Sequence, residues 1–76
     1  MSTLTAAQLA AEVRAEMARQ GVTAAKVAAA TNISPASLSR RLNGTSDFTV
    51  AEMFRVAGFL QVTLSDLLRR AETIAA

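Results

Sequence analysis

The sequence lacks the residues on which most catalytic and metal sites depend. Its 76 residues include no cysteine, histidine, tryptophan or tyrosine. Without cysteine the chain can form neither a disulfide framework nor a thiolate metal site. Without histidine it lacks the usual general base and the commonest metal ligand. Because there is also no glycine-rich phosphate loop and no cluster of paired carboxylates, we expect a protein that is not an enzyme and that binds no metal, cofactor or small molecule.

Long apolar runs are also missing, although 51% of the residues are hydrophobic. No run approaches the ~20 residues that span a bilayer, and the N-terminal segment lacks the basic start and apolar stretch of a signal peptide. We therefore expect no membrane association and a cytoplasmic location. Three glycines, one proline and the absence of an alternating apolar–polar segment favour helices joined by short turns over a sheet. A chain of this length is enough for one small domain.

One local pattern occurs five times and predicts five helices. In each copy an apolar residue precedes a Ser or Thr, and a second apolar residue follows four positions later. The hydroxyl caps the first turn of a helix, and the two apolar residues pack across that turn as a hydrophobic staple. The capping residues are Thr5, Thr23, Ser34, Thr49 and Thr63. The predicted helices span residues 6–20, 24–31, 35–43, 50–60 and 64–72, and residues 73–76 are expected to fray.

Residues 23–44 have the features of a helix-turn-helix. Two short helices can cross closely only where a small residue lies at their contact, and Ala28 is expected to be that residue. The tight turn between them needs a residue at positive φ, for which Asn32 is the commonest substitute for glycine. The second of these helices is expected to begin at Pro35 and to be stopped by Gly44.

The second helix of this motif is expected to expose a small, polar face. Leu38 and Leu42 share one side of the helical wheel and must be buried. The outer face then consists of Ala36, Ser37, Ser39, Arg40 and Asn43. Arg40 can donate two hydrogen bonds to a guanine, and serines can pair with several base edges, whereas Arg41 lies beside the buried face and is better placed for a phosphate. The alternative is a solvated helix face without a ligand.

The distribution of charge favours nucleic acid more than the net charge of +2 does. The span between Glu16 and Asp47 contains no acidic residue and four cations, which are Arg19, Lys26, Arg40 and Arg41. A surface with a positive potential and no nearby carboxylate suits a phosphate backbone. The alternative for Arg19 and Lys26 is that they serve solubility alone.

The segment TAAKVAAATNISPASLSRRLNG resembles the helix-turn-helix of the phage repressor and Cro family, also called lambda-repressor-like or XRE-type. The resemblance extends from about Leu9 to Leu68, because FTVAEMFRVAGFLQVTLSDLL is similar to the family's capped fourth helix and leucine-rich fifth helix. It implies an all-α fold, a compact five-helix lambda-repressor-like domain that occupies residues 1–76 as a single DNA-binding unit.

The resemblance also implies where the DNA contacts lie. Base contacts in the family come from the start and outer face of the third helix, and the matching positions are Pro35, Ala36, Ser37, Ser39 and Arg40. The residues we expect to contact phosphate are Thr23, Lys26, Arg19, Arg41 and Asn43. Three positions depart from the family pattern: Ala24 and Pro35 stand where Gln is frequent, and Arg41 stands where the residue is usually apolar. The base preference therefore cannot be inferred by analogy.

The expected function is transcriptional regulation through a double-stranded DNA operator. The small size resembles a compact Cro-type repressor of a phage or prophage, acting at the nucleoid of a bacterial cell. Two copies would occupy half-sites about 34 Å apart, as a homodimer or as monomers that pair only on DNA. The candidate dimer contacts are Phe59, Val62, Leu64, Leu68 and Ile74. The alternative is a protein-interaction module, such as an antitoxin or a co-regulator, which requires an exposed apolar patch.

Overall fold

The computed structural model describes residues 4–75, with side chains up to residue 73, and this part of the chain forms five α-helices. They span Ala6–Gln20 (α1), Ala24–Thr31 (α2), Pro35–Leu42 (α3), Val50–Leu60 (α4) and Leu64–Ala75 (α5). The predicted all-α fold is confirmed. All five starts, and the ends of α1, α2 and α4, agree with the ranges expected from the sequence.

Each helix starts at its predicted hydroxyl cap. The capping side chains each accept a hydrogen bond from the backbone N–H three residues later, at 3.0–3.2 Å. Gln8 and Glu52 complete capping boxes on α1 and α4, because their side chains accept hydrogen bonds from the backbone N–H groups of Thr5 and Thr49. A cap of this kind is worth about 1 kcal/mol, so the helix starts are fixed by local interactions.

Two helix ends differ from the prediction. α3 ends at Leu42 rather than Asn43, because the loop folds back onto the helix and the N–H groups of Thr45 and Ser46 both donate to the Arg40 carbonyl. α5 continues three residues past the predicted end, since no glycine or proline interrupts it and the Thr73 hydroxyl donates to the Arg69 carbonyl at 3.0 Å. The helix thus includes residues 73–75 of the segment that was expected to fray, and residue 76 lies outside the described range.

The helices enclose one hydrophobic core that orients α3. α1 packs against α3, α4 and α5, and α2 packs against α3 and α4. The largest fully buried side chains come from all five helices and are Val13, Val27, Thr31, Leu38, Val56, Leu60 and Leu67. Burial of apolar surface stabilises the fold by roughly 25 cal/mol per Å². Because Leu38 and Leu42 are both buried, the opposite side of α3 must face solvent.

The turn between α2 and α3 has the predicted conformation. Asn32 lies in the left-handed region, with φ 57° and ψ 35°, where asparagine is tolerated better than most residues. The N–H groups of Asn32 and Ile33 both donate to the Ala28 carbonyl. Ala28 is buried at 5% exposure where the two helices approach each other. The turn therefore fixes the position of α3 relative to α2.

Candidate nucleic-acid interface

The start and outer face of α3 contain the five residues expected to contact bases. Pro35, Ala36, Ser39 and Arg40 are exposed, and Ser37 is half-buried. Positions two apart on a helix differ by about 200°, so Ala36 and Arg40 stand opposite Leu38, which is buried. Arg40 Nη2 donates to Ser37 Oγ at 3.3 Å, a long surface contact that a stronger acceptor can replace. The middle of this face therefore presents one arginine among small side chains.

A groove of about 790 Å³ runs between α2 and α3 beside this face. α2 contributes four alanines to it, and α3 contributes Pro35, Ser39 and Leu42. Asn43, which caps the end of α3, and Arg14 of α1 also line it. Because an alanine side chain ends at Cβ, the start of α2 stays accessible from the groove. Arg14 is the one charged residue among those lining the groove, and no carboxylate lines it in the part of the chain that the structure describes.

The first turn of α2 offers unpaired donors. The Thr23 hydroxyl accepts a hydrogen bond from the Lys26 backbone N–H at 3.2 Å, and it keeps its own O–H to donate. The N–H groups of the first helical residues have no partner within the helix, and this turn has no acidic residue. The positive end of the helix dipole and these free N–H groups favour an anion at this position. The Lys26 side chain is exposed beside it.

Arg41 is held by the protein itself, which the sequence did not reveal. Its Nε lies 2.7 Å from Glu52 Oε1, and its Nη1 donates to the Ser37 carbonyl at 3.2 Å. The side chain is 18% exposed. Burial raises the pKa of Glu52, but the Thr49 backbone N–H and the Arg41 guanidinium outweigh this, so that the pKa is lowered overall. Arg41 therefore ties α3 to the start of α4, and two of its five N–H donors are used within the protein.

Arg19 lies away from the groove. Its guanidinium forms ion pairs with Glu12 and with Glu16, the latter at 3.0 Å. Both carboxylates are buried, and Glu16 also pairs with Arg70 on α5 at 2.9 Å. The Arg19 side chain remains 52% exposed. The structure thus places Arg19 in a polar network between α1 and α5.

Arg14 is a residue that the sequence reasoning missed. It is exposed on α1, and its Nη1 donates to the Leu42 carbonyl at the end of α3. A helical wheel could have drawn attention to it, because Arg14 lies about 200° from both Glu12 and Glu16 and so faces away from the acidic residues of its own helix.

The residues suggested for a dimer contact are only partly accessible. Val62 and Leu64 pack against the core, Leu68 is half-buried and Phe59 is 37% exposed. The side chain of Ile74 lies outside the described part of the chain. Val50 and Phe54, on the outer side of α4, are more exposed, at 70% and 61%.

No helix among residues 4–75 is long and apolar enough to cross a membrane.

Comparison with known proteins identifies the family. The sequence profile of a helix-turn-helix family matches residues 12–67, which include all of α2, α3 and α4. No curated protein and no solved structure matched the chain in the corresponding searches. With most of the chain matched and the five-helix fold around a helix-turn-helix observed, the chain belongs to the XRE-type, lambda-repressor and Cro-like helix-turn-helix family of DNA-binding regulators.

Proposed function

We propose that the protein is a sequence-specific transcriptional repressor of the Cro type, from a phage or prophage, that inserts α3 into the major groove of an operator. The main support is the exposed face of α3, where Arg40 stands opposite Leu38 and beside a groove that no carboxylate lines among residues 4–73. The major groove of B-DNA is wide enough to admit an α-helix. Bound there, in the cytoplasm of a bacterial cell at the nucleoid, the protein blocks a promoter by occupying it.

Base contacts are assigned to the outer face of α3. Arg40 donates to O6 and N7 of a guanine, because a guanidinium can form both hydrogen bonds at once. Ser37 and Ser39 pair with neighbouring base edges. Pro35 and Ala36 make apolar contacts, for which the thymine methyl group is the matching partner. Since only one of these five side chains is long and charged, sequence preference is concentrated at the base pair that Arg40 contacts.

Phosphate contacts are assigned to the residues around this face. The Thr23 hydroxyl, the Lys26 ammonium and the first N–H groups of α2 hold one phosphate, and Asn43 holds another beyond the end of α3. Arg41 reaches a phosphate through Nη2, the guanidinium nitrogen that bonds to neither Glu52 nor the Ser37 carbonyl. Arg19 is a peripheral contact, and its two carboxylate partners make its contribution small.

Two copies of the chain are proposed to bind one operator. The half-sites lie about 34 Å apart, one turn of the double helix, so that both copies of α3 face the same side of the DNA. The copies form a homodimer, in solution or only on DNA. Selection of bound sequences from a random duplex library tests this arrangement, since a palindromic result with this spacing is expected and a single unpaired half-site would contradict it.

The salt dependence of DNA binding tests the proposed function most directly. Fluorescence anisotropy with a labelled random-sequence duplex is expected to show affinity that falls steeply between about 50 mM and 200 mM salt, because bound cations release counterions from the DNA. Circular dichroism on the same sample establishes that the protein is folded. A folded sample that binds no duplex at the lower salt concentration would overturn the proposal.

A second candidate function, a protein-interaction module such as an antitoxin or co-regulator, is favoured by one observation. Val50 and Phe54, one helical turn apart on α4, are exposed at 70% and 61%. Apolar surface of this kind marks interaction sites when it forms a continuous patch. A protein that binds no duplex DNA, but whose association with a co-purified protein is lost in Phe54→Ser, would favour this candidate over the repressor.

A further inference from the structure

We propose that Arg14 is a positioning residue that binds a DNA phosphate while it holds the end of α3. This inference rests on the proposed function and adds to it a contact between α1 and the DNA backbone. The guanidinium would join a phosphate of the DNA backbone to the end of α3.

The first support is the hydrogen bond between Arg14 and α3. Arg14 Nη1 donates to the Leu42 carbonyl, 28 residues away in sequence. The last carbonyls of a helix have no partner within it, and a cation at this end is also favoured by the helix dipole. A guanidinium has five N–H donors, so this bond leaves most of them available. Arg14 is therefore anchored to the helix that enters the DNA and can still bind an anion.

The second support is the lack of a carboxylate partner. Arg19, Arg41, Arg69 and Arg70 each form an ion pair with a carboxylate, whereas none does so with Arg14 among residues 4–73. The nearest acidic residues along α1, Glu12 and Glu16, lie on its other side, where Arg19 and Arg70 neutralise Glu16. An external anion can thus bind the Arg14 guanidinium without breaking an ion pair between Arg14 and a described carboxylate.

The third support is position. Arg14 lines the same groove as Ser39 of α3, Asn43 just after α3, and Ala24, the first residue of α2. These are the places to which a base contact and two phosphate contacts have been assigned. A phosphate that binds Asn43 would lie beside the Arg14 guanidinium, which a flexible arginine can reach without releasing Leu42. The geometry thus adds one more charged contact to the phosphate contacts already assigned.

Two matched variants separate phosphate binding from support of a helix end. Arg14→Gln removes the charge but keeps an N–H donor for the Leu42 carbonyl. Arg55→Gln is the control, because Arg55 is also exposed and its Nε donates to the Thr31 carbonyl at the end of α2, at 2.9 Å. Arg55 does not line the groove. Both changes remove one positive charge, and both affect a hydrogen bond to the C-terminal end of a helix. The two variants therefore differ chiefly in whether the substituted residue lines the groove.

The readout is the slope of log affinity against log salt, measured with the wild-type protein and both variants on the selected operator and on random duplex. Arg14→Gln is expected to reduce the slope by about 0.9 and to weaken binding about eightfold at 0.1 M salt, equally on both DNAs, as loss of one phosphate contact requires. Arg55→Gln is expected to keep the wild-type slope. Arg14→Lys, which retains the charge, is expected to restore the slope that Arg14→Gln loses.

The outcomes distinguish this inference from the proposed function. Wild-type binding together with an unchanged slope in Arg14→Gln would overturn the role of Arg14 and leave the repressor proposal intact. A reduced slope that Arg14→Lys does not restore would assign the effect to damage at the end of α3, and would overturn the inference as well. Failure of the wild-type protein to bind any duplex would overturn both.

Discussion

Two consecutive arginines on α3 show how strongly the function of a residue depends on its neighbours. Arg40 is exposed, and its side chain bonds only to Ser37 Oγ among the described residues. Arg41 is 18% exposed and binds both Glu52 and the Ser37 carbonyl. Arg40 can therefore bind a ligand by giving up one weak hydrogen bond. Arg41 stabilises the fold, and only its remaining N–H donors are available for a ligand.

Arg40→Ala is expected to weaken binding to the selected operator by about 1–3 kcal/mol, because a bidentate contact with guanine is lost. Discrimination at that base pair should be lost with it, while the melting temperature should change little because the side chain is exposed. Anisotropy on the operator and on operators substituted at each position measures both effects. An equal loss of affinity on all sequences would instead place Arg40 on a phosphate.

Arg41→Ala is expected to lower the free energy of unfolding by about 1–3 kcal/mol, since it leaves the half-buried Glu52 without its charged partner. Affinity for DNA should fall by the same factor on every sequence. The matched control is Arg69→Ala, which removes a more exposed ion pair with Asp66 and should lower the free energy of unfolding less than Arg41→Ala does. Equal urea midpoints for the two variants would show that the ion pair of Arg41 with Glu52 stabilises the fold no more than the exposed pair of Arg69 with Asp66.

At the scale of elements, the helix starts could be predicted because their signals are local. Each cap lies within three residues of the N–H that it binds, and Asn32 has an intrinsic tolerance for the left-handed region. Gln61 also adopts that region, at φ 59°, but glutamine has no such bias. At Gln61 the left-handed conformation is imposed by tertiary packing. Val62 donates its N–H to the Ala57 carbonyl at 3.1 Å and packs against the core, and these two contacts require the chain to turn at Gln61.

The candidate interface was predictable only in part. The outer face of α3 follows from the helical period and two leucines, so it needed no knowledge of other helices. The partners of the arginines lie far away in sequence: Glu52 is 11 residues from Arg41, and Leu42 is 28 residues from Arg14. Such contacts depend on how α1 packs against α3 and on where the loop after α3 places the start of α4. For this reason the sequence could not separate the arginine that lines the groove from those that stabilise the fold.

The two glycines at Gly44 and Gly58 are expected to respond oppositely to substitution by alanine. Gly44 has φ +80°, and a Cβ there would lie 2.9 Å from the Cα of Ala7, so Gly44→Ala should destabilise the protein by more than about 1 kcal/mol. Gly58 lies within α4 with nothing within 4 Å of an added Cβ, so Gly58→Ala should stabilise it by about 0.5–1 kcal/mol. Thermal unfolding of both variants provides the comparison, and a shift of the same sign in both would contradict it.

At the scale of the whole molecule, a buried carboxylate joins the first helix to the last. Glu16 is 7% exposed and accepts hydrogen bonds from Arg19 at 3.0 Å, from Gln20 at 2.8 Å and from Arg70 at 2.9 Å. The Gln20 side chain also donates to the Leu60 carbonyl at 2.6 Å, which extends the network to α4. The bond from Gln20 is the largest cause that lowers the pKa of Glu16; burial opposes it, and both arginines reinforce it.

This network should make stability fall in acid. The pKa of Glu16 is lowered in the folded protein from its ordinary value of 4.5. The contribution of the Glu16 carboxylate to stability is therefore complete above the ordinary pKa and is lost as the pH falls through the lowered pKa.

Glu16→Gln should be less stable than the wild type at about pH 7, and the difference in urea unfolding free energy should shrink towards about pH 3. Glu72→Gln, which removes an exposed carboxylate, should instead follow the wild-type curve. A constant difference between Glu16→Gln and the wild type across this range would show that the network stabilises the fold through packing and hydrogen bonds, and that the charge of Glu16 adds nothing.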